Sequence, residues 1–147
     1  MLFDLNLPKY DFKLKRVEGS KFIFDEVRKK YVKLTPEEWV RQNLVQYLHH
    51  QKKYPLSLMS IEHALKYNGM SKRADILCFN KEGKPLLMVE CKASSVKINQ
   101  NVFEQIARYN FDLQVPFLMV SNGLDHYCCR MNYETRSFDF LKELPQF

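Results

Sequence analysis

Residues 73–92 read RADILCFNKEGKPLLMVECK, and they carry the strongest structural signal in the chain. Two apolar runs stand on either side of the turn residues Lys81–Lys84. Apolar runs joined by such a short turn predict an antiparallel hairpin, with strands at Arg73–Asn80 and Pro85–Lys92. The second run is continuously apolar, so both faces of that strand are expected to be covered.

Acids inside these predicted strands are the most informative residues. Glu90 and Lys92 stand two apart and would project from the same face of a strand, while Asp75 lies in the neighbouring strand. A carboxylate beside buried apolar residues is costly unless it is paired or bound to a metal. Two adjacent carboxylates repel each other, and a divalent cation relieves that repulsion. The pattern predicts a Mg²⁺ site with oxygen ligands from two acids, a backbone carbonyl and waters.

The pattern acid-x-Lys occurs three times in the chain, at Asp11–Lys13, Glu82–Lys84 and Glu90–Lys92. The first falls in a charged segment and the second in a predicted turn. Only the third ends a buried strand that has another strand acid before it. The alternative interpretation, a solvated strand end or a simple ion pair, stays open for this third copy.

The elements around the hairpin predict an α/β fold. Thr35 as N-cap, Pro36 at the first helical position and Glu38 three residues after the cap mark the start of a helix that runs to about Lys53. The element order is α-β-β-β-α-β with added strands, which indicates a mixed sheet flanked by helices. The other predicted elements are a strand at Leu58–Tyr67 followed by a turn at Asn68-Gly69, a helix at about Asn99–Gln114, and strands at Phe117–Ser121, His126–Asn132 and Phe138–Leu141.

Residues 1–33 form a basic N-terminal extension, which is expected to pack on a second region at 34–147. Alternating residues around Gly19-Ser20 predict a hairpin followed by a short strand. Residues 1–35 hold nine Lys and Arg against five acids, and the whole chain has a net charge of +6. This charge favours a polyanionic partner, and an ordinary solvated face is the alternative.

Composition excludes several classes of protein. The 147 residues suffice for one folded domain, and 11 Phe and 8 Tyr with only 4 Gly argue against disorder. No apolar run approaches the roughly 18 residues that span a bilayer, and the first residues do not resemble a secretory signal. We therefore expect no membrane partner. The four cysteines lack metal-binding spacing, so we expect them to be reduced thiols in the cytoplasm.

Asp75, Glu90 and Lys92 together resemble the active-site signature of the PD-(D/E)xK nuclease superfamily. Ala74 stands where the superfamily's name has Pro. The surrounding sequence is similar to one branch, the N-terminal nuclease domain of type I restriction enzyme R subunits (HsdR N-terminal-like). The similar segments, in the family's order, are Leu34–Gln42, Arg73–Ile76, Val89–Ala93, Gln105–Tyr109 and Ser121–Gly123.

This resemblance implies a restriction-endonuclease-like core and Mg²⁺-dependent hydrolysis of DNA phosphodiester bonds, with Mn²⁺ as a substitute ion. It implies that Asp75, Glu90 and the carbonyl of Cys91 hold the metal. Lys92 would orient or deprotonate the attacking water and stabilise the charge that develops on the phosphorane.

The resemblance also points to an acid on the first helix, Glu38, as a residue that completes the site. The rival interpretation is the helix cap, and Glu37 is a lesser candidate. Gln105 and Tyr109 share a helix face and resemble a Gln-x-x-x-Tyr element that supports the site or the DNA; a solvated Gln and a packed Tyr are the alternative.

Two further charged residues are expected to be structural. Glu62 is expected to pair with Arg73, and Arg41 is expected to pack or pair at the helix surface.

Two functions from different classes therefore remain open. The first is a Mg²⁺-dependent nuclease that acts on DNA, and the second is a non-cleaving nucleic-acid-binding or assembly module. The only Gly-Lys pair, Gly83-Lys84, lacks the preceding glycine of a phosphate-binding loop, so no ATP-driven motor is expected in this chain. A motor or specificity subunit is an expected partner. The sequence leaves open whether the protein forms a homodimer and whether its nucleic acid is DNA or RNA.

Overall fold

The computed structural model describes residues 2–67 and 69–147, and it is a mixed α/β fold. Asn68 of the predicted Asn68-Gly69 turn lies outside the described residues. Gly69 has a φ of +79°, a left-handed conformation that suits glycine in a turn.

The N-terminal region folds as a three-stranded antiparallel sheet of β1 (Leu14–Val17), β2 (Ser20–Asp25) and β3 (Lys30–Lys33). The predicted hairpin and short strand are thus hydrogen-bonded into one sheet. Positive φ at Glu18 and Gly19 matches the twist of the two-residue loop that joins β1 to β2. Strand β1 is exposed along its whole length.

The first helix, α1, covers Pro36–His50 and begins as the sequence predicts. The Thr35 hydroxyl accepts a hydrogen bond from the backbone N–H of Glu38 at 3.1 Å. The helix ends before the predicted Lys53, because Lys53 itself adopts a left-handed φ of +67° and Pro55 follows shortly after.

The main sheet has six strands in sequential order: β4 (Met59–Tyr67), β5 (Met70–Phe79), β6 (Pro85–Cys91), β7 (Phe117–Ser121), β8 (His126–Asn132) and β9 (Ser137–Leu141). All neighbours are antiparallel except β6 and β7, which are parallel and joined through α2 (Gln100–Asn110). A 3₁₀ turn at Phe111–Leu113 completes the predicted helical segment. The predicted order α-β-β-β-α-β is confirmed.

The sheet carries an apolar cluster on each face, so the prediction that both faces of β6 are covered is confirmed. Leu87 and Val89 join the cluster that includes Val40 and Leu44 of α1. Met88 joins the other cluster with Phe103 and Ala107 of α2. The register pairs Ile76 of β5 with Val89 of β6 as the last pair of that ladder, and the candidate site begins immediately beyond it.

Two findings in the described residues concern the cysteines and the helices. Cys78, Cys91, Cys128 and Cys129 are all free thiols and all buried. Neither α1 nor α2 has the length and hydropathy that would carry it across a membrane, and the described part of the chain has no other helix that does.

Candidate active site

Asp75 lies where the β5–β6 ladder stops. Its Oδ2 accepts a hydrogen bond from the backbone N–H of Cys91 at 2.7 Å. The Asp75 side chain thus binds a backbone amide of β6 beyond the last residue pair of the ladder, Ile76 and Val89. Its Oδ1 contacts Arg41 Nη2 at 3.5 Å. One carboxylate oxygen of Asp75 is therefore held firmly, while the other has only a long contact.

Glu90 is the residue of β6 that follows Val89, and it is only 7% exposed. The Lys72 ammonium lies 2.6 Å from Glu90 Oε1 and forms an ion pair with it. Burial raises the pKa of Glu90, the Lys72 ammonium opposes that shift, and the charge of Asp75 adds to it. The two acids are thus electrostatically linked, as the hairpin register predicts.

These observations fit a divalent cation. A buried carboxylate whose pKa is raised by burial and by the charge of a second carboxylate is a place where a cation lowers the electrostatic energy. Among residues 2–67 and 69–147, no group of three or more His, Cys, Asp or Glu side chains could hold a metal. The protein ligands would be Asp75, Glu90 and the Cys91 carbonyl, completed by waters, which is a donor set that suits Mg²⁺.

Lys92 follows the end of β6 and is half-buried. Its backbone N–H donates to the carbonyl of Ser121 at 2.9 Å, which fixes it beside the end of β7. Its charge lowers the pKa of Glu90. The structure therefore brings together Asp75, Glu90, Cys91 and Lys92 at one end of the β5–β6 hairpin.

Glu38 takes part in the helix cap and also contacts residues next to the candidate site. Its backbone N–H donates to Thr35, as an N-cap requires, but its carboxylate turns inward. The carboxylate accepts from Arg28 Nη2 at 3.0 Å, Arg41 Nη1 at 3.2 Å and Gln42 Nε2 at 3.0 Å. Glu38 thus reaches the site through Arg41, which it shares with Asp75.

Arg41 was expected to pack or pair at the helix surface; the pairing is confirmed, but the surface position is wrong. It is 5% exposed and lies among acids from three elements. Its guanidinium contacts Glu38 of α1, Glu62 of β4 at 3.0 Å and Asp75 of β5 at 3.5 Å. The helical pattern alone cannot show this, because two of the acids come from strands that follow later in the chain.

Arg28, in the turn after β2, is a residue that the sequence did not single out. It pairs with Asp25 at 2.6 Å and with Glu38 at 3.0 Å, so the turn of the N-terminal sheet is linked to α1. Arg28 is one of the basic residues of the N-terminal region that were expected to face a polyanion, but its guanidinium forms ion pairs within the protein. A pairing role leaves no local sequence signal.

Glu62 pairs with Arg73 at 3.4 Å, as predicted, and also contacts Arg28 and Arg41. Its φ of +54° is a left-handed conformation for a non-glycine residue, opposite the part of β5 that holds Asp75. Glu37 is further out and contacts Arg41 at 3.6 Å.

Gln105 and Tyr109 both lie on the exposed side of α2. Tyr109 is 48% exposed, and the centroid of its ring lies 4.6 Å from the Lys72 ammonium. Tyr109 is therefore connected to Glu90 through Lys72, whereas no contact described for Gln105 connects it to the acids. The sequence did not identify Lys72, because nothing in its own strand shows that it pairs with a buried acid of β6.

Comparison with known proteins adds a family match. Residues 36–145 match the family model described as type I restriction enzyme R protein N terminus (HSDR_N). The match covers α1, the six-stranded sheet and α2, and so includes all the candidate site residues. No curated protein matches the chain.

A solved structure also resembles the chain. It is a fragment of a protein assigned as the HsdR subunit of a type I restriction enzyme from Vibrio vulnificus YJ016. The similarity has a TM-score of 0.53 at 20% sequence identity and covers 77% of this chain. The chain spans 24% of the length of that structure, so the likeness concerns the fold of one part of it.

Proposed function

The chain belongs to the family of type I restriction enzyme R protein N-terminal domains, and we propose that it is a Mg²⁺-dependent nuclease domain that hydrolyses DNA phosphodiester bonds. The observation that carries the proposal is the position of Asp75, Glu90 and Lys92 at one end of the β5–β6 hairpin. The restriction-endonuclease-like character of the core is part of the same proposal.

Asp75 and Glu90, with the Cys91 carbonyl, would hold the cation. A bound Mg²⁺ supplies Lewis-acid chemistry, since it lowers the pKa of a water ligand and offsets the charge of the phosphate. The hydrogen bond from Cys91 N–H and the contact with Arg41 orient the Asp75 carboxylate before any ion arrives. This preorganisation reduces the reorganisation that metal binding requires.

Lys92 would act on the attacking water and on the charge of the transition state. Its anchored backbone places a cation next to the acids without making it a ligand. A positive group aimed at developing negative charge in a site of low dielectric stabilises the transition state more than the ground state. Glu38 would support the site by positioning Arg41.

The N-terminal sheet would contribute to DNA binding. Lys29, Lys30 and Lys33 are exposed on or next to β3. Exposed lysines on one small sheet suit contacts with phosphates, which are largely independent of base sequence. In keeping with the family of type I restriction enzyme R proteins, we propose that a motor or specificity subunit is a partner and supplies translocation or site selection.

Nicking of supercoiled plasmid in Mg²⁺ tests this function. We expect nicking by the wild type, none with EDTA, and a loss of about 10²-fold or more in Glu90→Gln. Glu82→Gln is the matched control, because Glu82 belongs to the acid-x-Lys sequence in the exposed turn, and it should nick like the wild type. A wild type that binds DNA without nicking it would favour the non-cleaving module instead.

A further inference from the structure

Lys72 of β5 makes two contacts that the proposed reaction does not use. Its ammonium lies 2.6 Å from Glu90 Oε1 and 4.6 Å from the centre of the Tyr109 ring. Only 16% of its side chain is exposed. A lysine this enclosed is held in place by its surroundings and does not sample solvent freely.

The contact with Glu90 is an ion pair between an ammonium and a buried carboxylate. A divalent cation on Glu90 Oε1 would sit about 2.0–2.1 Å from that oxygen if it were Mg²⁺. It would then meet the ammonium at close range, and two cations so placed repel strongly in a buried site. The lysine and the metal ion cannot share this oxygen.

We propose that Lys72 is an internal counter-ion that neutralises Glu90 in the metal-free protein and competes with the divalent cation for that carboxylate. The inference rests on the metal site of the proposed function. The ammonium already lies over the Tyr109 ring, and that contact would continue to stabilise it after it leaves Glu90, because a cation over an aromatic face is favourable. Metal binding and release of Lys72 from Glu90 are then one coupled event.

Competition has a direct thermodynamic consequence. Neutralising Lys72 removes the competitor, so the metal binds more tightly, while the metal-free protein loses the partner of a buried carboxylate and becomes less stable. A merely structural ion pair predicts the opposite for the metal, since a disturbed site would bind it more weakly.

The experiment is calorimetric titration with Mn²⁺ at constant pH and ionic strength. Lys72→Met keeps the length of the side chain and removes its charge, and we expect it to bind Mn²⁺ about tenfold more tightly, which corresponds to ~1.4 kcal/mol. Lys72→Arg keeps a cation able to pair with Glu90 and should stay near the wild-type affinity. Lys84→Met removes an equal charge from the exposed turn at the far end of the hairpin and controls for long-range electrostatics.

Thermal unfolding provides a second measurement and a check of folding. We expect Lys72→Met to have a lower Tm than the wild type in EDTA and a larger rise in Tm on adding Mn²⁺. Should Lys72→Met not fold, Lys72→Gln removes the same charge and retains a polar group beside Glu90, and the same tightening is expected.

The outcomes separate this inference from the proposed function. Wild-type Mn²⁺ affinity that is unchanged by Asp75→Asn and Glu90→Gln would overturn the metal site itself. If those two variants lose Mn²⁺ but Lys72→Met binds it no more tightly than the wild type, the site stands and the competition is overturned. Tightening in Lys84→Met equal to that in Lys72→Met would overturn it as well, because the effect would then be non-specific.

Discussion

A substitution at Lys92 distinguishes metal binding from catalysis most clearly. It carries a positive charge beside Glu90, so it opposes metal binding while favouring the transition state. We predict that Lys92→Ala loses about 10²–10³-fold in cleavage rate and keeps both Mn²⁺ and DNA binding. Plasmid nicking in Mg²⁺, beside fluorescence anisotropy with labelled DNA in Ca²⁺, checks both halves.

Two companion variants sharpen that test. Lys92→Arg should not restore cleavage, because a planar guanidinium has a different shape and does not release a proton near neutral pH. Lys84→Ala, in the turn copy of the acid-x-Lys pattern, should cut at the wild-type rate. Cleavage at the wild-type rate by Lys92→Ala would make Glu90–Lys92 a structural strand end.

The sequence predicts a site residue where an acid follows a buried apolar run or lies in the strand expected to pair with that run. Glu90 is recognisable because it follows an apolar run, and Asp75 because it lies in the paired strand. Arg41 and Lys72 are not, because their roles depend on acids that other elements bring to them. The same holds for Arg28, whose partner Glu38 lies on α1.

The turn after β2 links the N-terminal sheet to α1 through Asp25. This carboxylate is fully buried and accepts hydrogen bonds from the backbone of Val27, from the backbone and guanidinium of Arg28, and from Gln42. Burial alone would raise the pKa of Asp25, but the hydrogen bonds from Arg28 and Gln42 outweigh it and lower the pKa. The folded protein therefore stabilises the ionised form.

This direction of shift gives a pH prediction. A carboxylate whose pKa is lowered on folding contributes stability above its unfolded pKa of about 3.9, and that contribution is lost as the pH falls through the folded value. We expect Asp25→Asn to destabilise by about 3 kcal/mol at pH 7, because it breaks a buried pair. The difference from the wild type should shrink below about pH 4.

Urea unfolding of the wild type and Asp25→Asn between pH 7 and pH 2.5 measures that difference. Asp11→Asn, an exposed aspartate of the same region, should stay within about 0.5 kcal/mol of the wild type throughout. A gap for Asp25→Asn that is constant with pH would show that shape, and not charge, is what Asp25 contributes.

Strand β3 and the turn before it carry the proposed DNA contacts. Lys29, Lys30 and Lys33 are exposed, whereas Arg28 is paired inside. We predict that replacing these three lysines by Ala flattens the dependence of log affinity on log salt, by about 0.9 for each phosphate that the protein no longer neutralises. Fluorescence anisotropy over a salt series measures the slope.

A triple variant elsewhere controls for net charge. Lys81, Lys84 and Lys142 are exposed outside the N-terminal sheet, and their replacement by Ala should leave the slope unchanged. Equal slopes for the wild type and the Lys29, Lys30 and Lys33 variant would show that these lysines do not contact phosphates and form an ordinary solvated face.

The order of elements in the whole molecule follows from local patterns that are strong in this chain. The cap at Thr35, the turn at 81–84 and the apolar runs of β6 and β7 each indicate an element without help from the rest. Helix ends were less predictable: α1 ends at His50, before the left-handed Lys53, and the residue type of Lys53 does not predict a left-handed backbone. The packing of the N-terminal sheet against α1 depends on Arg28 and Asp25 and had no local signal.

The most direct test of the metal site is a crystal of the wild type soaked in Mn²⁺ and measured for anomalous scattering. We predict a peak between the carboxylates of Asp75 and Glu90, within bonding distance of the Cys91 carbonyl, with the Lys72 ammonium moved away from Glu90. Crystals of Glu90→Gln should lose that peak. No peak between these acids in a soaked crystal whose site is open to solvent, or Mn²⁺ bound only elsewhere, would contradict the proposed metal site and the nuclease mechanism that depends on it.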